Sequence, residues 1–179
     1  MITPPTVQLL KHPGPVAPTR RDVMVGKNQK TYRITLRRGA SLYDSVVSAM
    51  SVTGARVAAL NIECAIFSHL RYFLIATSDE VEQVAHYTTP LDFDEPATLV
   101  SAGATVGTTD QGKFAIHCHG VTVTGSGRLV GGHFLTEHCI LAEDGVAYLH
   151  TMDYMDLVIG MDPEIGTLVF QPSYREALI

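Results

Sequence analysis

The stretch Phe114-Ala115-Ile116-His117-Cys118-His119-Gly120-Val121-Thr122-Val123, followed by Gly125-Ser126-Gly127-Arg128-Leu129-Val130-Gly131-Gly132 and His133, decides how this chain reads. Side chains alternate between the two faces of a strand, so Ala115, His117, His119, Val121 and Val123 share one side and the two imidazoles stand next to each other. Cys118 takes the opposite side and reads as core, neither ligand nor nucleophile. If the strands pair across the glycine-rich turn, His133 approaches His117 and His119. Three neutral imidazoles with an open fourth position are the donor set with which catalytic Zn²⁺ holds an activatable water. The plainer alternative is a set of partly buried histidines hydrogen-bonded to their neighbours. Gly131 and Gly132 also read two ways. They permit close backbone approach or positive φ that tucks His133 into a pocket, or they mark a bulge beside a hairpin.

A strand expected over Phe134–Leu141 extends the same logic. His138 is five positions from His133 and falls on the other face, so it reads as structural, as does His150. Glu137 is four positions away and shares the face of His133 on an unbroken strand. That makes it a candidate to orient a ligand or move a proton, against the alternative of an ordinary solvated carboxylate.

Outward from this centre, Tyr32, Ile34 and Leu36 alternate with Thr31, Arg33, Thr35 and Arg37, the pattern of a half-buried strand closed by Gly39. Ser41-x-x-Asp44 has the capping-box form. Leu42, Val46, Ala49, Met50 and Thr53 follow at helical spacing, which predicts a helix over 42–53 stopped by Gly54. Residues 56–76 are rich in Val, Ala, Ile, Phe and Leu, contain no Gly or Pro, and read as one long bent strand or, preferably, a hairpin around Ser68-His69-Leu70-Arg71. The acidic, Pro-containing stretch 77–96 reads as surface connection with short irregular pieces. Strands are expected over Thr98–Thr108, Lys113–Thr124, Val146–Met155 and Thr167–Gln171, with turns at Thr109–Gly112, Gly125–Gly127, Glu143–Gly145 and Met161–Gly166. The economical architecture is a single α+β domain: a curved, largely antiparallel β-sheet packed with one main helix.

The 179 residues are 46% hydrophobic and contain no Trp, so the core rests on Val, Ile, Leu and Ala and leaves little aromatic surface for stacking bases. Cys64, Cys118 and Cys139 are too few and too scattered for a disulfide framework, and they read as reduced thiols of a cytoplasmic protein. No apolar run reaches the roughly 18 residues that span a bilayer, so no membrane partner is expected. Pro4, Pro5, Pro13, Pro15 and Pro18 make residues 1–30 a Pro-rich basic leader, extended or poorly ordered over its first 20 residues, ahead of a domain over 31–179.

Net charge is -5, yet residues 1–38 carry eight Lys or Arg against Asp22 alone. Arg20, Arg21, Lys27 and Lys30 are therefore candidate phosphate contacts, set against the reading of a solvated leader and the repulsion of a duplex by the acidic remainder. No minor-groove hook of the Arg-Gly-Arg-Pro type is present. No serine-histidine-aspartate arrangement stands out, a Walker-type phosphate loop is missing, and Gly125-Ser126-Gly127 lacks the strand-to-helix setting of a dinucleotide loop.

Ile116-His117-Cys118-His119, the short turn and Gly131-Gly132-His133-Phe134-Leu135, together with Arg38-Gly39-Ala40-Ser41-Leu42 and Val57–Phe67, resemble the plant-and-prokaryote-conserved (PPC) domain over roughly residues 31–172. The resemblance implies a compact α+β domain that assembles as a homotrimer with its histidines near a subunit junction. Bacterial members are described as DNA-binding, whereas plant members contact DNA through a separate AT-hook that this chain lacks. The fold group also looks similar to acetolactate decarboxylase, a metal enzyme with a histidine triad. That likeness implies His117, His119 and His133 as metal ligands, and the three-histidine donor set itself points to zinc, or another divalent metal, with a position open to catalysis or a small-molecule ligand.

Overall fold

The computed structural model describes residues 11–18, 23–25, 27–77 and 85–175. Among them run β1 (Lys27–Leu36), α1 (Leu42–Thr53), β2 (Ala58–Cys64), β3 (Ile66–Phe73), β4 (Ile75–Thr77), β5 (Ala85–Tyr87), β6 (Leu91–Phe93), β7 (Ala97–Thr108) and β8 (Phe114–Thr124). The chain continues through β9 (Leu129–Phe134), a 3-10 turn (Thr136–His138), β10 (Ile140–Leu141), β11 (Gly145–Asp153), β12 (Met155–Asp162) and β13 (Thr167–Tyr174). One curved sheet takes the order β1-β11-β2-β7-β8-β9-β3-β10, with β6 beside β3 and β12 linking β13 to β7, while β4 and β5 form a separate hairpin. Because β3 pairs with β9 at one end and with β7 at the other, the sheet curls until these strands nearly enclose the core. Phe67 and Phe134 meet edge-to-face inside it, with centroids 5.9 Å apart.

The alternation in β1 holds, with Ile34 and Leu36 buried and Tyr32 packed against the same core. Helix α1 starts where Ser41 caps it. The Ser41 hydroxyl accepts from the Asp44 amide at 2.9 Å and donates to the Asp44 carboxylate at 2.7 Å. It ends at Gly54, whose φ of 69° costs a residue without Cβ little. Leu42, Val46 and Met50 face the sheet and are fully buried.

Three expectations need correction. There is no hairpin at Ser68–Arg71. Those residues sit within β3, since none supplies turn geometry and Leu70 is buried. The break falls at Ala65, whose carbonyl accepts from Leu99 at 2.9 Å, so β2 and β3 form one bent path along β7. The strand expected over Phe134–Leu141 stops at Phe134. The chain then turns through the 3-10 segment, which returns Thr136 and Cys139 to the interior, where the Cys139 thiol donates toward the Leu135 carbonyl at 3.3 Å. The strand expected over Val146–Met155 ends at Asp153, and a further strand, Met155–Asp162, reaches into the turn expected at Met161–Gly166, set off from β11 by Tyr154 at a φ of 66°.

The leader is partly fastened. Residues 11–18 cross the β12–β13 turn, where buried Glu164 gathers them. Its carboxylate accepts from Ala17 at 2.8 Å and meets His12 Nδ1 at 3.0 Å, and its carbonyl accepts from Gly14 at 3.0 Å. Residues 1–10 and 19–22 lie outside the described residues.

Candidate metal centre

Strand pairing assembles the site. His119 and His133 are direct register partners on β8 and β9, and His117 follows two residues away on the same face of β8. Cys118 and Thr122, on the other face, are fully buried, so the two-residue alternation keeps both β8 imidazoles outside the core. β9 has to lie between β8 and β3, and its glycines permit this. A Cβ on Gly131 would run into the Gly120 carbonyl, and one on Gly132 into the Phe73 carbonyl. Neither glycine has positive φ, so close approach, not unusual backbone, is why they are there.

One nitrogen from each of His117, His119 and His133 lies within 4.8 Å of the others. The Nε2 atoms of His117 and His119 are 3.1 Å apart. Ligand nitrogens on a tetrahedral zinc are separated by roughly 3.3 Å, given Zn–N bonds of about 2.0–2.1 Å, so this pair already has the span of one coordination edge. The His133 ring stands edge-on to both, with centroids 4.6 Å from His117 and 5.2 Å from His119. These residues fit a divalent ion with nitrogen preference, and no protein carboxylate or thiolate completes the set among the described residues.

Protonation also suits the role. Burial, reinforced by repulsion from His117 and His119, pushes the His133 imidazole down to about 4, and burial followed by repulsion from His119 lowers that of His117. Both rings therefore keep a free lone pair at neutral pH. Cys118, by contrast, is pushed up to about 12 by burial and by Cys139, and stays an inert thiol.

Tyr87 is a residue that sequence reasoning missed. Its hydroxyl lies 3.2 Å from His133 Nδ1, and its ring stacks on Phe73 at 5.1 Å. Occupying Nδ1 leaves Nε2 of His133 for a metal, the usual role of an outer partner of a ligating histidine. The only available signal was Tyr87 itself, in a stretch read as connection.

Glu137 belongs to the 3-10 turn, so the same-face argument made for it does not apply. It is exposed, pairs with Lys113 at 3.6 Å and lines a cavity of about 480 Å³ that it shares with His133, Arg71 and Tyr43. His138 is exposed, and His150 Nδ1 meets the Thr31 hydroxyl at 3.0 Å, away from the triad. Arg20 and Arg21 lie outside the described residues. Lys27 begins β1, and Lys30 is exposed on that same strand, which forms one edge of the sheet. Lysines on an edge strand also discourage unwanted strand pairing.

No protein-family model and no curated protein matches the sequence. Solved structures do match the fold. A plant- and prokaryote-conserved (PPC) protein from Pyrococcus horikoshii superposes with a TM-score of 0.65 at 15% identity, covering 85% of this chain and 100% of that one. The chain has the PPC fold. A metal-containing protein from Archaeoglobus fulgidus gives a TM-score of 0.69 at 15% identity over 84% of this chain and 99% of that one. A "putative DNA-binding protein" from Ralstonia eutropha JMP134 gives 0.62 at 18% identity over 78% and 90%. On this fold the histidines occupy the face of β8 and β9 opposite to the one that buries Cys118 and Phe134. No helix among the described residues is long and apolar enough to cross a membrane.

Proposed function

We propose that this chain is a PPC-family protein that assembles as a homotrimer and holds a divalent metal, zinc in the first instance, on His117, His119 and His133, where a small molecule binds or reacts. The observation that carries the reading is the convergence of three imidazole nitrogens within 4.8 Å from two paired strands. The Archaeoglobus fulgidus neighbour, described as metal-containing, supports it. When bound, zinc would supply a Lewis-acidic centre, and three protein ligands would leave one position open. Tyr87 fixes the His133 ring. The domain is taken as residues 31–179, with β1 reaching back to Lys27.

Exposed Val121, Val123 and Leu129 on the histidine-bearing strands favour association of copies, and the free state of Cys64, Cys118 and Cys139 suits a cytoplasmic setting. The test is a competition titration of zinc against a chromophoric chelator. The intact chain should bind about one equivalent, and the His117→Ala/His119→Ala double variant none. Unchanged binding by the double variant would overturn the assignment.

The names of the Ralstonia eutropha neighbour and of a "putative dna binding protein" from Bacteroides thetaiotaomicron favour a second reading, in which the basic leader contacts DNA phosphates. Affinity for a duplex should then fall steeply with salt. Replacing Arg20, Arg21, Lys27 and Lys30 by Gln should abolish it. Absence of duplex binding by the intact chain at low salt would dispose of this reading.

A further inference from the structure

We propose that the cleft beside His117 is a binding site for a small molecule with an uncharged aromatic or branched aliphatic body and a lone-pair donor at one end. The donor end rests on the metal reading above; the cleft does not.

The cleft measures about 510 Å³, within the range of small-molecule sites. One wall is the β12–β13 arm, which supplies Leu168, Val169 and Phe170, and the other is the β4–β5 hairpin with Ile75 and Ala85. The arm lies flat on the sheet because β7 carries a glycine at the crossing. A Cβ on Gly107 would stand 2.7 Å from Phe170 Cε1 and 2.9 Å from Leu157 Cβ. Gly107 and Thr105 pair with Ala115 and His117 across β7 and β8, so this crossing places the arm next to His117. On the other side Ile75 is the register partner of Tyr87, which is itself tied to His133. Both walls are thus fixed relative to the histidines.

Lining chemistry narrows the occupant. Ile75 and Leu168 are each 60% exposed, large apolar side chains on opposite walls with room between them. Among the described residues no Lys, Arg, Asp or Glu lines the cleft, whereas the cavity beside His133 has Arg71, Lys113 and Glu137. A charged body in the cleft would lose water and find no Lys, Arg, Asp or Glu to pair with among these residues. An apolar body gains from burial, and of the two imidazoles that line the cleft, His86 and His117, only His117 belongs to the histidine triad, which sets the donor end there.

The test uses the full chain loaded with zinc and two hydroxamates with the same metal-binding head, benzohydroxamate and acetohydroxamate. By calorimetry the phenyl compound should bind roughly tenfold or more tightly than the methyl one. Leu168→Asp and Ile75→Asp, on opposite walls and at exposed positions, should each remove that margin while zinc content and acetohydroxamate affinity stay unchanged. Equal affinities on zinc-loaded protein would overturn the proposal. Toluene is then titrated into the metal-free chain, with the methyl resonances of Ile75 and Leu168 observed. Shifts at both methyls without any zinc uptake would support the cleft and overturn the metal reading. Unmoved methyls with stoichiometric zinc would overturn the cleft and leave the metal reading standing, the pattern also expected if a second copy covers it.

Discussion

His119 and His133 face each other across β8 and β9 as register partners, 5.2 Å between ring centroids, with His117 completing the group from two residues along β8. The site therefore depends on one strand pairing. His133→Ala should weaken zinc binding by more than the roughly 10–100-fold that loss of an outer partner causes, with the far-ultraviolet spectrum unchanged. Competition against a chelator measures this.

Tyr87→Phe keeps the ring that stacks on Phe73 at 5.1 Å and removes only the hydroxyl at His133 Nδ1. Zinc affinity should fall about tenfold while the melting temperature of the metal-free protein stays the same. An equal fall in both would assign Tyr87 to the fold alone.

Gly132→Ala pushes a methyl into the Phe73 carbonyl, and β9 cannot yield without loosening its contacts with β3. A destabilisation of about 1–3 kcal/mol is expected, as for overpacked interiors. Chemical denaturation reads it directly, and loss of zinc binding should accompany it because His133 is the next residue.

For the metal-free chain the pH dependence has a definite sign. The His133 imidazole titrates near 4 when folded, below its ordinary 6.5, so the unfolded chain binds the extra proton between those values. Stability should therefore decline as pH falls from about 6.5 towards 4, by on the order of 1–2 kcal/mol after allowance for solvent screening. His133→Gln should flatten that decline, which urea melts at pH 7 and pH 5 would register.

Glu164→Ala removes the carboxylate that holds Ala17 at 2.8 Å and His12 at 3.0 Å. Amide hydrogen exchange at Gly14 and Ala17 should accelerate, and stability should drop by about 1–3 kcal/mol through loss of charged hydrogen bonds.

Much of this was legible because it is periodic. The alternation of β1, the Ser41 cap, the Gly54 stop and the opposed directions of Cys118 and His117 all follow from local rules that the fold obeys. Convergence of His133 on the β8 pair followed from assuming a simple hairpin across Gly125–Gly127, which forms. What failed was long-range. Whether residues 56–76 bend or reverse is decided by pairing with β7, some 40 residues away, and no local turn residue announces it. The 3-10 turn that carries Glu137 off the strand is set by the burial of Thr136 and Cys139. Tyr87 and the β12–β13 arm reach the site through tertiary placement alone.

The most direct measurement of the central claim is native mass spectrometry of the full chain, purified without chelator or affinity tag and supplied with equimolar zinc. A trimer carrying about one zinc per chain, lost in the His117→Ala/His119→Ala variant, is the result this account requires. A chain that stays metal-free under those conditions, or a double variant that keeps its zinc, would contradict it.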